Sequence, residues 1–208
     1  MRQRPQDSTS ALAALITGNH RCVARRGGPA VPAMPPAEGG AAVGRPFALL
    51  WQCESIDFPM GALFDQPRQD LYVVRVLRAA PLGRAAASVA GVPPSPIPSD
   101  IVDIEAIGAR EAVAAVEFGL GEFGIPLVVV LAEIGERFTR SEFAWKQSEA
   151  LAFDAMGELL RNSERSAVAV RGGGLRVVGA IVDRAEQRIH WLGEHPEQSR
   201  MLGMPPRP

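Results

Sequence analysis

The sequence contains few of the residues that hold small secreted proteins together. It has only two cysteines, Cys22 and Cys53, which form no C-x-x-C pattern and cannot build a disulfide scaffold. Its longest apolar run, 127–132, is far shorter than the ~20 residues that cross a bilayer. No long apolar core follows the first residues, so we expect no signal peptide. The sequence therefore predicts a cytoplasmic protein with reduced thiols and no membrane partner.

The sequence also has no large excess of positive or negative charge, because the formal net charge is −1. A surface that binds nucleic acids in general needs a basic excess, so we expect no nucleic-acid partner. The three histidines, His20, His190 and His195, are scattered and match no metal-ligand spacing. These absences leave an ordinary globular protein, and its 208 residues predict a single domain spanning 1–208.

Short, nearly continuous apolar runs alternate with helical patterns along the chain. Such runs are typical of strands that are buried on both faces, as in parallel sheets. Strands are predicted at 47–53, 71–77, 127–131, 175–182 and 189–192, and the last two are close enough to form a hairpin. Helices are predicted from 8–10 to about 26, at 105–123 and at 141–161. We expect residues 1–46 to be a helix and an extended arm, 79–100 to be a loop and 194–208 to be an irregular tail. The fold class is therefore α/β, with a mostly parallel sheet flanked by helices and an antiparallel edge strand.

Several short motifs follow this pattern in an order and spacing typical of one known family. Leu15 with 18–21 is similar to L-x-x-G-N-x-R-F, and 64–65 with 70–75 is similar to F-D-x-x-x-G-D-L-F-V-V-R. Residues 116–118 resemble the S-I-E-Y-A helix, 127–131 stand where the family has V-V-L-G-H-x-x-C-G, and 177–183 resemble V-V-G-A-x-Y-D. Over roughly residues 11–193 the sequence resembles the β-class carbonic anhydrases.

That resemblance implies a zinc site in which this sequence has changed most of the residues. In the family, two cysteines and a histidine hold zinc, and an Asp–Arg pair orients the zinc-bound water. The motif C-x-D-x-R reads Cys53-Glu54-Ser55-Ile56-Asp57 here, and the motif H-x-x-C reads Glu133-Ile134-Gly135-Glu136. The candidate pocket consists of Cys53, Ser55, Asp57, Glu133, Glu136, Arg75 and Arg137.

Cys53, Glu133 and Glu136 are the candidate metal ligands, and zinc or a harder divalent cation are the candidate metals. With Asp57 they would bring three carboxylates near one pocket, which a cation, an arginine or a retained proton must neutralise. Structural alternatives stay open. Cys53 also suits a buried small apolar position, and Glu133 and Glu136 also suit the acidic first turn of a helix.

Three functions are consistent with these changes. The first is a carbonic anhydrase-like protein that has lost zinc-dependent CO2 hydration and serves a ligand-binding, regulatory or scaffold role. The second is an enzyme with altered chemistry that uses Asp57, Glu133 and Glu136, and the third is an atypical active zinc carbonate dehydratase. We favour the first, because the changes fall on the chemistry itself. The resemblance also implies a homodimer, since β-class enzymes pair through the first helix and the sheet edge, and a small molecule is the expected ligand.

Overall fold

A computed structural model describes residues 4–25, 45–53, 58–76, 103–106, 109–135 and 141–205. The expected arm and the expected loop at 79–100 lie almost wholly outside these ranges. The helices are α1 (Ser8–Ala24), α2 (Met60–Leu63), α3 (Ala109–Phe123), α4 (Glu142–Asn162), α5 (Glu164–Arg171) and α6 (Gln198–Met201). The strands are β1 (Ala48–Gln52), β2 (Leu71–Val76), β3 (Asp103–Ala106), β4 (Leu127–Ile134), β5 (Arg176–Asp183) and β6 (Arg188–Gly193).

The six strands form one sheet in the order β3-β2-β1-β4-β5-β6. All neighbouring pairs are parallel except β5 and β6, which form an antiparallel hairpin at one edge. This arrangement confirms the predicted α/β fold with a mostly parallel sheet. It also means that the carboxyl ends of β1 to β5 meet at one edge, which is where open α/β sheets place ligands.

Apolar side chains from both faces of the sheet form two separate core clusters. On one face, Leu49, Trp51 and Val130 pack with residues of α3, α4 and α5. On the other face, Leu50 and Leu131 pack with residues of α1 and α2. Burial on both faces is the physical reason why β1 and β4 are apolar at nearly every position.

Some local predictions differ from the structure. The helix predicted from residue 105 begins at Ala109, and residues 103–106 instead form β3, which pairs with β2. Asp-Ile-Glu-Ala has no apolar run, so its strand pairing overrides a local pattern that resembles a helix. The tail was predicted to be irregular but contains the short helix α6. The N-cap of α1 is Asp7.

Two residues of the G-N-x-R motif attach α1 to the rest of the fold. The side-chain amide of buried Asn19 donates to the backbone carbonyls of Leu63 (3.1 Å) and Gln187 (2.9 Å). Its Oδ1 accepts from the backbone N–H of Ile189 at 2.9 Å. Gly18 lies so close to the carbonyl oxygen of Phe64 that an added Cβ would be 1.7 Å away. This motif therefore has a structural role, joining α1 to α2 and to the β5–β6 hairpin.

A second junction lies beside the first and also uses motif residues. The guanidinium groups of Arg21 and Arg25 both donate to the carboxylate of Asp65, which has a positive φ of 48°. The Arg25 Nη1–Asp65 Oδ1 distance is 2.8 Å. Asp65 thus pairs with both guanidinium groups near the end of α1, so these motif residues also have a structural role.

Candidate functional site

The end of β1 lies directly beside β4 at the edge where the parallel strands finish. Gln52 pairs with Leu131, and the backbone N–H of Cys53 donates to the carbonyl oxygen of Leu131 at 2.9 Å. Cys53 is therefore the first residue beyond β1. This hydrogen bond to β4 nevertheless fixes its backbone, so the position of this cysteine is set by the sheet rather than by a loop.

The Cys53 side chain points into the apolar cluster beneath α3 and α4. It is 9% exposed and belongs to the cluster that contains Trp51, Val74 and Val130. Those surroundings suit a small apolar residue, which is the structural alternative for Cys53.

Glu133 is the second candidate ligand within the described part of the chain, and it lies on the other face of the sheet. Leu131 belongs to the cluster against α1 and α2, and alternation along β4 places Glu133 on the same side. The Glu133 side chain is 10% exposed, and its Oε1 lies 3.3 Å from Nη1 of Arg184. Ser148 of α4 donates from its hydroxyl to the backbone carbonyl of Glu133 at 2.9 Å, which fixes the strand end. The carboxylate is thus engaged in an ion pair with the turn that follows β5.

Arg75, near the end of β2, contacts a residue that the sequence analysis did not single out. Its Nε donates to Oε1 of Gln52 at 3.1 Å. Gln52 is fully buried, and its Nε2 has no hydrogen-bond partner in the structure described. A lone amide at the end of the apolar run 47–53 was the available signal, since a buried polar side chain needs a reason to be there.

Four candidate residues, Ser55, Asp57, Glu136 and Arg137, lie outside the described residues. Their assignment to the pocket stays a prediction. Within the described ranges, no group of three or more His, Cys, Asp or Glu side chains is arranged to hold a metal ion. Since Glu136 is not among those residues, the structure brings together at most part of the candidate ligand set.

Two further buried polar groups lie on the Cys53 face of the sheet. The indole Nε1 of Trp51 and the hydroxyl of Tyr72 have no hydrogen-bond partner among the described residues. Burial raises the pKa of Tyr72 well above its ordinary value, so its phenol stays protonated. Tyr72 packs against Phe123, with ring centroids 5.6 Å apart, so it functions here as a core aromatic residue.

Comparison with known proteins finds likeness in structure but not in sequence. Solved β-carbonic anhydrases resemble this fold. One match is to two tetrameric enzymes from Sordaria macrospora, with a TM-score of 0.44, 15% identity, and coverage of 72% of this chain and 81% of that chain. The enzyme CafD from Aspergillus fumigatus gives a TM-score of 0.40 and 12% identity over 77% of this chain and 94% of that chain. The enzyme CcaA gives 0.40 and 14% over 72% of this chain and 78% of that chain. These neighbours are β-carbonic anhydrases by description, and at such identity the likeness concerns the fold alone.

No protein-family model matches the chain, and no curated protein matches it in sequence. Within the residues that the structure describes, none of the helices has the length and apolar character needed to cross a membrane.

Proposed function

We propose that this protein is a carbonic anhydrase-like protein that has lost zinc-dependent CO2 hydration and acts by binding a ligand. The observation that carries the proposal is the ion pair between Glu133 and Arg184. Glu133 stands where the resemblance implies the histidine ligand. Its carboxylate is engaged with a guanidinium on the opposite face of the sheet from the Cys53 side chain.

Metal chemistry supports the same conclusion. Two thiolates and an imidazole suit Zn²⁺, whereas Cys53 would be the only soft ligand here and glutamates favour harder cations. For Glu133 to bind a metal, it would also have to give up the arginine that neutralises its nearly buried charge. We therefore infer that the purified protein retains no stoichiometric zinc.

The sequence supplies a second, independent reason. Ser55 and Asp57 stand where the family has the aspartate and arginine that orient the zinc-bound water. A neutral hydroxyl cannot replace the aspartate, and Asp57 carries a charge opposite to that of the arginine. Losing a positioning group of this kind costs about 10²–10⁴-fold in rate. A metal bound at this position would still lack an oriented water.

The same proposal includes a homo-oligomer in the cytoplasm. The Sordaria macrospora neighbours are tetrameric by description, and the sequence motifs imply pairing through α1 and the sheet edge. We expect a dimer as the smallest stable unit. Light scattering that finds a stable monomer at micromolar concentration would contradict this part of the proposal.

The test combines elemental analysis with a stopped-flow CO2-hydration assay on the same preparations. The variants are the wild type, the double variant Glu133→His with Glu136→Cys, and a quadruple variant that adds Ser55→Asp and Asp57→Arg. We expect no zinc and no hydration in the wild type. In the double variant we expect no appreciable turnover even if zinc binds, because the water has no orienting partner.

Two results would count against this reasoning in different ways. One zinc per wild-type chain that is lost on Cys53→Ser, with robust turnover, would refute the lost-activity proposal and favour an atypical active enzyme. Robust turnover by the zinc-loaded double variant alone would show that the orienting pair is dispensable, while the ligand positions are right. Arg184→Gln is the matched control, because it frees the Glu133 carboxylate without adding a soft ligand.

A further inference from the structure

The C-terminal segment, residues 194–204, follows β6 and contains the short helix α6. It packs against α4, and Leu202, which is 5% exposed, belongs to the apolar cluster on that face of the sheet. Met201 and Met204 pack against the same cluster. Opening of the segment would therefore expose apolar side chains to water, so its attachment decides how much of the cluster is covered.

Two polar junctions hold the beginning of this segment. In the first, the Glu194 carboxylate accepts from Nε of Arg176 at 3.1 Å and from Nε2 of Gln198 at 3.0 Å. In the second, the backbone carbonyl of His195 accepts from the N–H of Gln198 at 2.9 Å. The ring Nδ1 of His195 accepts from the backbone N–H of Glu197 at 3.0 Å. The imidazole is thus part of the turn that begins α6.

The hydrogen bond of the His195 ring requires a neutral imidazole. Because Nδ1 accepts from the backbone, it carries no proton, and the ring proton lies on Nε2. Protonation of Nδ1 would bring a second donor against the N–H of Glu197, so the bond would be lost. The ring also packs edge-to-face with Phe153 of α4, with centroids 5.4 Å apart, and such apolar contact favours the uncharged form.

Burial lowers the pKa of His195 below its ordinary value of 6.5, although the charged groups around the ring act in both directions. Asp154 of α4 and Glu197, the residue before α6, favour the imidazolium, whereas Arg161 of α4 opposes it. The neutral ring and its hydrogen bond are therefore fully present above pH 6.5. They are lost as the pH falls through the lower pKa of the closed segment.

We propose that the C-terminal segment is a pH-sensitive cover of the apolar cluster, which opens more often once His195 is protonated. Loss of one hydrogen bond of ordinary strength raises the ratio of open to closed chains about fivefold. Histidine is the side chain whose ordinary pKa lies near neutral pH, so mild acidification drives the change. None of the candidate pocket residues belongs to the segment, so the inference holds whether or not the protein binds zinc.

Hydrogen exchange of the full chain, followed by mass spectrometry between about pH 5 and pH 7.5, tests the proposal. The rates are converted to protection factors, because the intrinsic exchange rate itself changes with pH. The reporting amides are those of Gln198, Met201 and Leu202, which all donate to carbonyls within the segment. We expect their protection to fall about fivefold on acidification. At every pH the segment should be less protected than β5, because it opens without unfolding of the sheet.

Variants separate the His195 contact from general effects of acid. His195→Gln removes the titrating ring, so the protection of the segment should no longer depend on pH. His20→Gln is the matched control, an exposed histidine on α1, and it should keep the wild-type fall. Asp154→Asn removes a carboxylate that favours the imidazolium, so the fall should continue to lower pH. An NMR titration of the wild-type His195 ring is the second measurement, and protection should stop falling once the pH is below its midpoint.

Segment protection that does not change with pH in the wild type would overturn the proposal. An unchanged fall in His195→Gln, or the loss of the fall in His20→Gln, would overturn it as well. Equal protection of the segment and β5 would show that the segment does not open by itself, which also contradicts the proposal. The measurement involves neither metal nor CO2 hydration, so its failure is distinct from a failure of the lost-activity proposal.

Discussion

Replacing Asn19 by alanine tests how α1 is attached to the fold. The side chain is 1% exposed and makes three hydrogen bonds, two as a donor and one as an acceptor. After the change, two backbone carbonyls and one backbone N–H lose a partner at a place that water scarcely reaches. Each orphaned buried group costs about 1–3 kcal/mol, and partial relaxation brings the sum to about 4 kcal/mol.

That loss is large compared with the stability of a typical domain, which is about 5–15 kcal/mol. For a chain of this length it corresponds to a fall in melting temperature of about 8–16 °C. Urea unfolding followed by tryptophan fluorescence is a suitable assay, because Trp191 packs against Phe64 near this junction, with ring centroids 6.3 Å apart. The slope of free energy against urea should stay unchanged, since the native surface is the same.

The matched control is Asn162→Ala, an exposed asparagine that makes one bond to Glu158 at 2.6 Å. It should cost less than about 0.5 kcal/mol. Both variants should be measured at several protein concentrations, because oligomerisation changes the apparent stability. If Asn19→Ala loses less than about 1 kcal/mol more than the control, the three bonds do not hold α1 and the structural reading of the motif is wrong.

Three further predictions concern other parts of the fold. Arg184→Gln should lower the free energy of unfolding by about 1–2 kcal/mol, because it removes the ion pair of the nearly buried Glu133 carboxylate. The control is Arg188→Gln, which changes an exposed arginine and should cost less than about 0.5 kcal/mol in the same urea assay. Gly18→Ala should cost more than about 3 kcal/mol, since its Cβ would overlap a backbone carbonyl, and a soluble variant with an unchanged melting temperature would contradict that contact. Burial lowers the pKa of His195 below its ordinary value of 6.5, so the folded state favours the neutral imidazole. The stability that depends on this shift is fully present above pH 6.5, and it is lost as the pH falls through the lower pKa of the folded state. A His195→Gln variant should lose that part of the pH dependence of the melting temperature, and an identical pH profile would refute the assignment.

Much of the sheet could be predicted because its strands are buried on both faces. A strand such as β4 must be apolar at nearly every position, and that requirement is visible in the sequence without any partner. The edge strand β3 could not be found in this way. Its four residues contain two acids and no apolar run, and they are a strand because β2 offers them a hydrogen-bonding edge. Local pattern therefore identified the centre of the sheet, and pairing decided one of its edges.

The candidate site was also predicted only in part from the sequence. The sequence alone placed Cys53 at the end of one buried strand and Glu133 just after another, and it showed which family residues had changed. It did not indicate that the two side chains belong to opposite faces of the sheet. It also did not indicate that Arg75 would bond to Gln52, 23 residues earlier in the chain.

What the sequence determined by itself was the order of the elements, because apolar periodicity depends only on neighbours along the chain. The partners of the charged and polar side chains were decided by the tertiary structure. Glu133 meets Arg184 across 51 residues, and Asn19 bonds to Ile189 across 170 residues. Such pairs carry no local pattern, since a carboxylate or an amide accepts any suitable donor that folding brings within about 3 Å. Only the packing of α1 and the hairpin against the sheet selects which donor that is.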